Sequence, residues 1–522
     1  FTVESGNATG TTFTVNSKAT AFQIRGGAGS DTVDATGLTF TSLERDFIFN
    51  AGSIETIIDD GGLFTAPAPG PDDLILTTGA DTFAPTAADS TISGSADTFN
   101  NTDDLDAGTG TDELVLLGGG TFNLNTPLNL SGFEEIRAIN PSTSSVFLTL
   151  RTNDSHDRVT LDSVGYTRSE LNGTSYVGTF TGGNGTDGVN LRGSSRIEDL
   201  SLGSGYGRVR VYDSASIGTV DLGNGGGRVS LRGTGSAEAV QGGSSVDRLY
   251  VYSTSAWSGV TSFDGGGSTS DTLRFLQSSA TFDLTSVSLS NVERLSSFTS
   301  NTTLVVDDAV MSDITLVQGN VGNRLLTNDA SLDLTGKSIQ NLTVESGNAT
   351  GTVFTVNSKP TALQVVGGTG DDTLEATGIT FTSTERDFIF NAGSIEVIKD
   401  DSGVYGNSAA NNLTGGAAAE IISGNAGDDT LDGGGGIDTL TGGADSDSFI
   451  LRVGDGADVI TDFQDGVDML GLADGLSFAD LTIDDGGGPD TTISVTATGE
   501  VLAELSGITE SLITEDDTFV FI

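Results

Sequence analysis

The chain has 522 residues with 72 acidic against 22 basic side chains, a formal charge of −50 that argues against nucleic acid or an anionic membrane surface as partner. It has no cysteine, which excludes disulfides and thiolate metal sites, and no apolar run of about 18 residues, so no membrane-spanning helix is predicted. With 74 glycines, only 8 prolines and 35 % hydrophobic residues spread throughout, it reads as a repetitive turn-and-strand chain, not a disordered one.

Residues 1–61 open with FTVESGNATGTTFTVNSK, and residues 1–59 recur at 342–400, from LTVESGNATGTVFTVNSK onward, with roughly three-quarters of the positions identical. This is duplication of a whole cassette. Each copy holds a turn of one kind, GGAGSDTVD from Gly26 and GGTGDDTLE from Gly367. Residue 1 is Phe with no signal peptide before it, which predicts a processed product or an excised fragment. A strand beginning there is an uncapped solenoid end, predicted to dock head-to-tail on another copy through residues 1–59.

Residues 62–73, with prolines at 67, 69 and 71, are the expected linker. Residues 74–140 carry eroded repeats (TTGADTFAP, ISGSADTFN, AGTGTDELV) that keep the turn glycine and aspartate and lose the spacing.

Residues 141–300 are predicted to be a β-solenoid, and from 177 the period is 20. Coils begin at Val177, Ile197, Ile217, Ala237 and Trp257, with Phe180, Leu200, Val220, Val240 and Val260 at the fourth position. Val189, Val209, Val229 and Leu249 share a further column, as do Leu191, Val211, Leu231 and Val251. Apolar residues two apart, repeated at a fixed period, describe strands whose alternate side chains enter one core. The turn Gly182, Gly183, Gly185, Asp187 keeps the full pattern, whereas GSGYGR and GNGGGR have lost the aspartate.

The outward positions hold Arg208, Arg228 and Arg248 in one row and Arg192, Tyr212, Arg232 and Tyr252 in another, with Arg210 and Tyr250 between. Ten of the 22 basic residues lie in 151–250. Two readings stay open. The rows form a docking stripe for an anionic polysaccharide or acidic partner surface, or Arg and Tyr simply suit exposed parallel strands and neutralise nearby aspartates.

Residues 301–405 continue as solenoid through the second cassette copy, and 406–450 hold the most specific stretch. From 415 it reads GGAAAEIIS, GNAGDDTLD, GGGGIDTLT, GGADSDSFI, the pattern G-G-x-G-x-D-x-U-x with U large and apolar. The glycines permit the turn, the aspartates supply hard oxygens, and Leu431, Leu440 and Phe449 point inward. A flexible linker would not hold this register over four repeats. The stretch resembles the RTX (repeats-in-toxin) β-roll, a parallel β-helix of calcium-binding nonapeptides in which turns 18 residues apart stack. The resemblance implies several bound Ca²⁺ ions, held by Gly26, Gly27, Gly29 and Asp31; Gly182, Gly183, Gly185 and Asp187; Gly367, Gly368, Gly370 and Asp372; and Gly424, Gly427, Asp429, Gly433, Gly434, Gly436, Asp438, Gly442, Gly443 and Asp447.

Residues 451–522, including GDGADVITDFQDGVDML, resemble the small C-terminal β domain of RTX proteins exported by type I secretion. A strand, loop, Glu, strand cadence recurs at 121–136, at 281–295 and at the end of each cassette, and resembles coils of calcium-dependent bacterial S-layer and matrix proteins.

No enzyme is expected. The single histidine, His156 in NDSHDRV, excludes HExxH sites and reads as part of a polar turn; G-x-S-x-G is absent; and the pairs Asp59–Asp60 and Asp400–Asp401 are ordinary at this Asp content. The expected fold is all-β: a parallel β-solenoid of RTX β-roll and 18–20-residue coils with a small C-terminal β domain. The expected function is calcium-dependent self-assembly into an S-layer, sheath or matrix filament of a secreted protein at a bacterial surface, with the protein itself as partner. The alternative is a secreted adhesin that binds polysaccharide through the Arg/Tyr rows.

Overall fold

The computed structural model describes residues 3–52, 54–66, 73–84 and 88–521. The chain is nearly all β, with about 22 turns of parallel solenoid. It divides into two compact units, residues 1–278 with 286–298 and residues 279–285 with 299–522.

In the first unit, two parallel sheets face each other across each coil. One runs from Leu74–Ile75 through Thr91–Ser95 and Tyr176–Thr181 to Ser288–Ser290, and the other from Gly120–Asn123 through Asp187–Leu191 to Arg294–Ser297. Register follows the apolar columns: Val189, Val209, Val229 and Leu249 are successive partners, as are Leu191, Val211, Leu231 and Val251. All eight are fully buried, because strand alternation sends every second side chain into the space between the sheets.

One column departs from the sequence reading. Val240 is partnered by Phe263, not Val260. Ser253 caps a one-turn helix, Thr254–Trp257, by accepting from the Ala256 N–H, and this inserted turn lengthens the coil. Trp257 and Val260 are still buried, so the insertion adds to the core while shifting the register.

The first cassette lies in this unit, with its own core of Phe40, Ile48, Ile54 and Ile57 beneath the helix Ser42–Gly52. Asp59 is buried in an ion pair with Arg45 at 2.9 Å, and that guanidinium lies 3.7 Å over the Phe64 ring. The second unit holds the same device in Arg386, Asp400 and Tyr405, at 3.1 and 3.7 Å. These aspartates are therefore structural. Of the expected linker, Gly62–Thr65 is a strand antiparallel to Thr56–Asp59, because Gly61 and Gly62 close a tight hairpin; residues 67–72 lie outside the described residues.

In the second unit, coils lead through the cassette helix Ser383–Gly393 into a roll with an 18-residue period: Asn412 pairs Thr430, which pairs Ser448, and Ile421 pairs Thr439. Beyond 451 the chain continues both sheets of the roll, adds the antiparallel strands Leu481–Asp484, Thr491–Val495 and Val501–Leu505 to one, and closes the other with Thr518–Val520, parallel to Met469–Leu472.

Phe180 fills the first-unit core without solvent contact, whereas Thr179 faces water. Phe180→Ala is expected to lower the stability of that unit by about 3–5 kcal/mol and Thr179→Ala by less than about 0.5 kcal/mol. Denaturation followed through the buried Trp257, the one tryptophan, checks both.

Candidate metal centre

In the roll, the aspartate at the sixth position of each of the last three nonapeptides sits just before its strand and reaches back one coil, whereas Glu420 in the first accepts from the Gly416 N–H of its own turn. The Asn411 N–H donates to Asp429 Oδ1 at 2.7 Å, the Asp429 N–H to Asp447 Oδ1 at 3.0 Å, and the Asp447 N–H to Asp468 Oδ1 at 2.9 Å. On the opposite side the Glu420 N–H donates to Asp438 Oδ1 at 2.7 Å and the Asp438 N–H to Asp458 Oδ1 at 3.0 Å. Two files of carboxylates thus stitch coil to coil.

Each such carboxylate has a second oxygen. Asp429, Asp438 and Asp447 are buried, and their Oδ2 atoms have no hydrogen-bond partner. A buried unpaired carboxylate oxygen is strongly unfavourable, so a cation is the natural counterpart. Burial pushes Asp429 up to about 7, against the lowering by the Asn411 N–H, and nearby Asp447 adds to the rise. Burial likewise raises Asp447 and Asp458 to about 6 and shifts Asp438 upward.

The glycines complete the cradle. A Cβ on Gly433 would lie 2.6 Å from Asp458 Oδ2 and 2.7 Å from Asp438 Oδ2, and one on Gly424 would strike Asp429 Oδ2 and stand 2.5 Å from the Gly442 carbonyl oxygen. One on Gly442 would strike Asp447 Oδ2. Gly427 and Gly436, at φ of 100° and 133°, turn the chain in a region closed to side chains. The space kept open by missing side chains is lined by carboxylate and carbonyl oxygens, the donor set of a hard divalent cation.

Fold and site together define a parallel β-roll with oxygen-lined cation cradles. Residues 405–440 and 414–449 match the RTX calcium-binding nonapeptide repeat (four copies). No curated protein matches the chain. RTX nonapeptide repeats bind calcium, and the segment 405–449 is an RTX β-roll.

Elsewhere the carboxylates fall into different groups. In the cassettes, the Thr11 N–H donates to Asp31 Oδ1 and the Gly27 N–H to Asp31 Oδ2, at 2.6 and 2.7 Å; Thr352 and Gly368 do the same for Asp372 at 2.7 and 2.6 Å. Both oxygens are satisfied from within. Asp187 is also partnered: the Thr167 hydroxyl donates to Oδ1 at 2.5 Å, and the Gly183 and Gly203 N–H groups oppose the burial that raises it to about 6.

In the next two coils the exchange is reciprocal. Leu202 and Leu222 replace the first glycine, and Gly207 and Gly227 stand where Asp187 and Asp247 stand. A Cβ on Gly207 would lie 2.5 Å from the Leu202 side chain, so the leucine fills the room that a carboxylate takes in neighbouring coils.

Asp112, Asp247 and Asp271 are buried, each with one unpartnered oxygen. Asp112 lies in the eroded repeat AGTGTDELV, whereas sequence reasoning did not single out Asp247 and Asp271; Gly242-Gly243 with Asp247 at the sixth position was a usable signal. The recurrent glutamates have one shared role: Glu55, Glu134, Glu293 and Glu396 each accept through Oε2 the N–H of Asp31, Asp112, Asp271 and Asp372, at 2.6, 2.9, 2.8 and 2.7 Å. The strand–Glu cadence is thus the long-armed rung of the ladder.

His156 is not in a turn. It is buried in the strand Ser155–Ser163, because it is the register partner of Val177 and so extends the inward column of Val177, Ile197 and Ile217, and its Nδ1 lies 2.8 Å from the Phe133 carbonyl oxygen. The Arg/Tyr rows lie on the outward face of the second sheet, remote in sequence from the roll.

Without calcium, the folded roll binds more protons than the unfolded chain between about pH 4 and 7, because its aspartates are raised above 3.8. Their contribution is present below pH 4 and lost as pH rises through 6–7. In chelator the roll is therefore expected to melt at higher temperature at pH 5 than at pH 7.5, and with excess Ca²⁺ the order should reverse. Calorimetry at the two pH values checks this. Asp438→Asn keeps an acceptor for the Glu420 N–H while removing a charge, and is expected to weaken calcium binding on the order of tenfold, read by calcium titration.

Proposed function

We propose that this protein is a calcium-dependent structural protein of a bacterial surface that associates with copies of itself into an S-layer, sheath or matrix filament. RTX repeat proteins are typically exported, and millimolar affinities suffice outside the cell. Folding of the roll then awaits the calcium met there.

The observation that carries self-association is a comparison the chain makes with itself. The helices SLERDFIFNAG and STERDFIFNAG differ at one position. In the first cassette, Phe47 is 8 % exposed, seated with Ala51 on the outward side chains Val115, Leu117 and Ile139, while Asp46 pairs with Arg137 at 3.0 Å. In the second, the counterpart Phe388 is 55 % exposed, its neighbour Leu363 is 36 % exposed, and Asp387 and Ala392 face water. A helix face that buries itself against a β-sheet face in one copy is left open in the other.

The reading therefore places the associating surface on the second cassette, with an outward sheet face of another copy as its seat. The first cassette, at 1–59, already spends its helix face within its own unit.

Light scattering and electron microscopy of the full chain in Ca²⁺ test this. The wild type is expected to form ordered polymers that disperse in chelator, and Phe388→Ser to remain monomeric with unchanged calcium-induced β structure. A monodisperse wild type, or Phe388→Ser assembling like it, would contradict the reading.

A further inference from the structure

In the first unit, the strands Asp187–Leu191, Gly207–Val211, Gly227–Leu231 and Asp247–Val251 turn three positions per coil outward. The inner row is Arg208, Arg228 and Arg248, partners in consecutive strands. Parallel strands repeat at about 4.8 Å, so this row sets one guanidinium per step along the stack. None of the outward positions of this sheet face, 188, 190 and 192 and their equivalents through 248, 250 and 252, is acidic.

The outer row is a stack of planar groups. The Arg192 guanidinium lies 4.2 Å from the Tyr212 ring, and Arg232 lies 5.8 Å from Tyr212 and 3.8 Å from Tyr252. Between the rows, Tyr250 takes Arg228 at 5.2 Å on one side and Arg274 at 5.0 Å on the other. Stacking fixes the long side chains and leaves guanidinium and phenol edges, all hydrogen-bond donors, toward solvent.

These arginines are unpaired in a chain of charge −50. Arg158, Arg168 and Arg196 nearby pair with Glu135, Glu170 and Glu198. Among the described residues, Arg192, Arg208, Arg210, Arg228, Arg232, Arg248 and Arg274 form no ion pair. The Nε atoms of Arg228 and Arg232 are buried without a hydrogen-bond partner. Burial lowers the Arg210 pKa below the usual arginine value, and Arg208 and Arg228 repel it further. Arg248 opposes by its charge the upward shift of the buried Asp247 and Asp271, yet like the rest of the face it forms no ion pair among the described residues.

We propose that this face binds a linear acidic polysaccharide lying along the stack, its carboxylate or sulfate groups met by the inner row Arg208, Arg228 and Arg248 and its hydroxyls by the outer Arg/Tyr edges. A repeating ligand suits it because the cation recurs at a constant step, which a folded protein surface does not match. A protein partner would also want an apolar centre, and no large aliphatic side chain is exposed between Gly188 and Tyr252. Donors held in place by stacking lose little freedom on binding. This site is independent of self-association and of the calcium turns.

The test uses the full chain in Ca²⁺ with four probes: hyaluronan, dextran sulfate, uncharged dextran and polyglutamate. The wild type is expected to bind one or both anionic polysaccharides, more weakly as salt rises, and not dextran. The triple variant Arg208→Ser, Arg228→Ser, Arg248→Ser is expected to lose at least about tenfold in affinity and about three in the salt slope. Its melting temperature should stay within a few degrees. Arg232→Lys, which keeps charge but loses the stacked fork, should weaken binding with the salt slope unchanged. Absence of binding to both anionic polysaccharides, equal binding by the triple variant, or tighter binding to polyglutamate than to either would overturn the proposal.

Discussion

A carboxylate that accepts a backbone N–H from the preceding coil is the interaction on which this molecule depends. It recurs with aspartate in the roll, and the glutamates at 55, 134, 293 and 396 likewise accept an N–H from the preceding coil. The bond sets register between coils at the turn, where the strand ladders cannot reach. Its cost is a line of buried negative charge, which the molecule handles in three ways. Backbone N–H groups close the second oxygen at Asp31 and Asp372; glycine replaces the carboxylate at 207 and 227, with Leu202 and Leu222 filling its room; and in the RTX roll the oxygen stays open to a cation. Calcium dependence is therefore a local property of the open rungs, within a scaffold that closes its rungs at Asp31 and Asp372 and plugs others with Leu202 and Leu222.

Much of this was legible in the sequence. The 20-residue columns and the nonapeptide register are spacing statements, and strand alternation converts spacing into inside and outside directly. What spacing does not convey is a contact made across coils. The glutamate cadence was visible, but its role needed the fold, because each glutamate meets an aspartate 22 or 24 residues earlier. Asp247 and Asp271 were missed because their turns have lost the glycine at the fourth position, GGSSVD and GGGSTSD, while their place beside the neighbouring coil is kept. The shift from Val260 to Phe263 comes from a short insertion that moves residues along the coil without disturbing the stack, and His156 is buried because it joins the column of Val177 one coil before the 20-residue period begins.

The two cassettes show how far sequence and environment separate. Their helices are nearly identical and their internal ion pairs, Arg45–Asp59 and Arg386–Asp400, are equivalent. One helix face is nevertheless buried and the other open. No pattern within the helix could have announced that difference, since it lies in what surrounds it. The same holds for the arginine rows, whose meaning came from the absence of partners around them.

The central claim is that calcium dependence resides in open carboxylate rungs and not in the solenoid as a whole. Hydrogen–deuterium exchange of the full chain in Ca²⁺ and in chelator tests it most directly, because each rung protects a particular amide. On chelation, protection at the amides of Asn411, Glu420, Asp429, Asp438 and Asp447 should be lost, while the coils at 207–231, plugged by Leu202 and Leu222, keep theirs. Loss of both regions together, or of neither, would contradict the account.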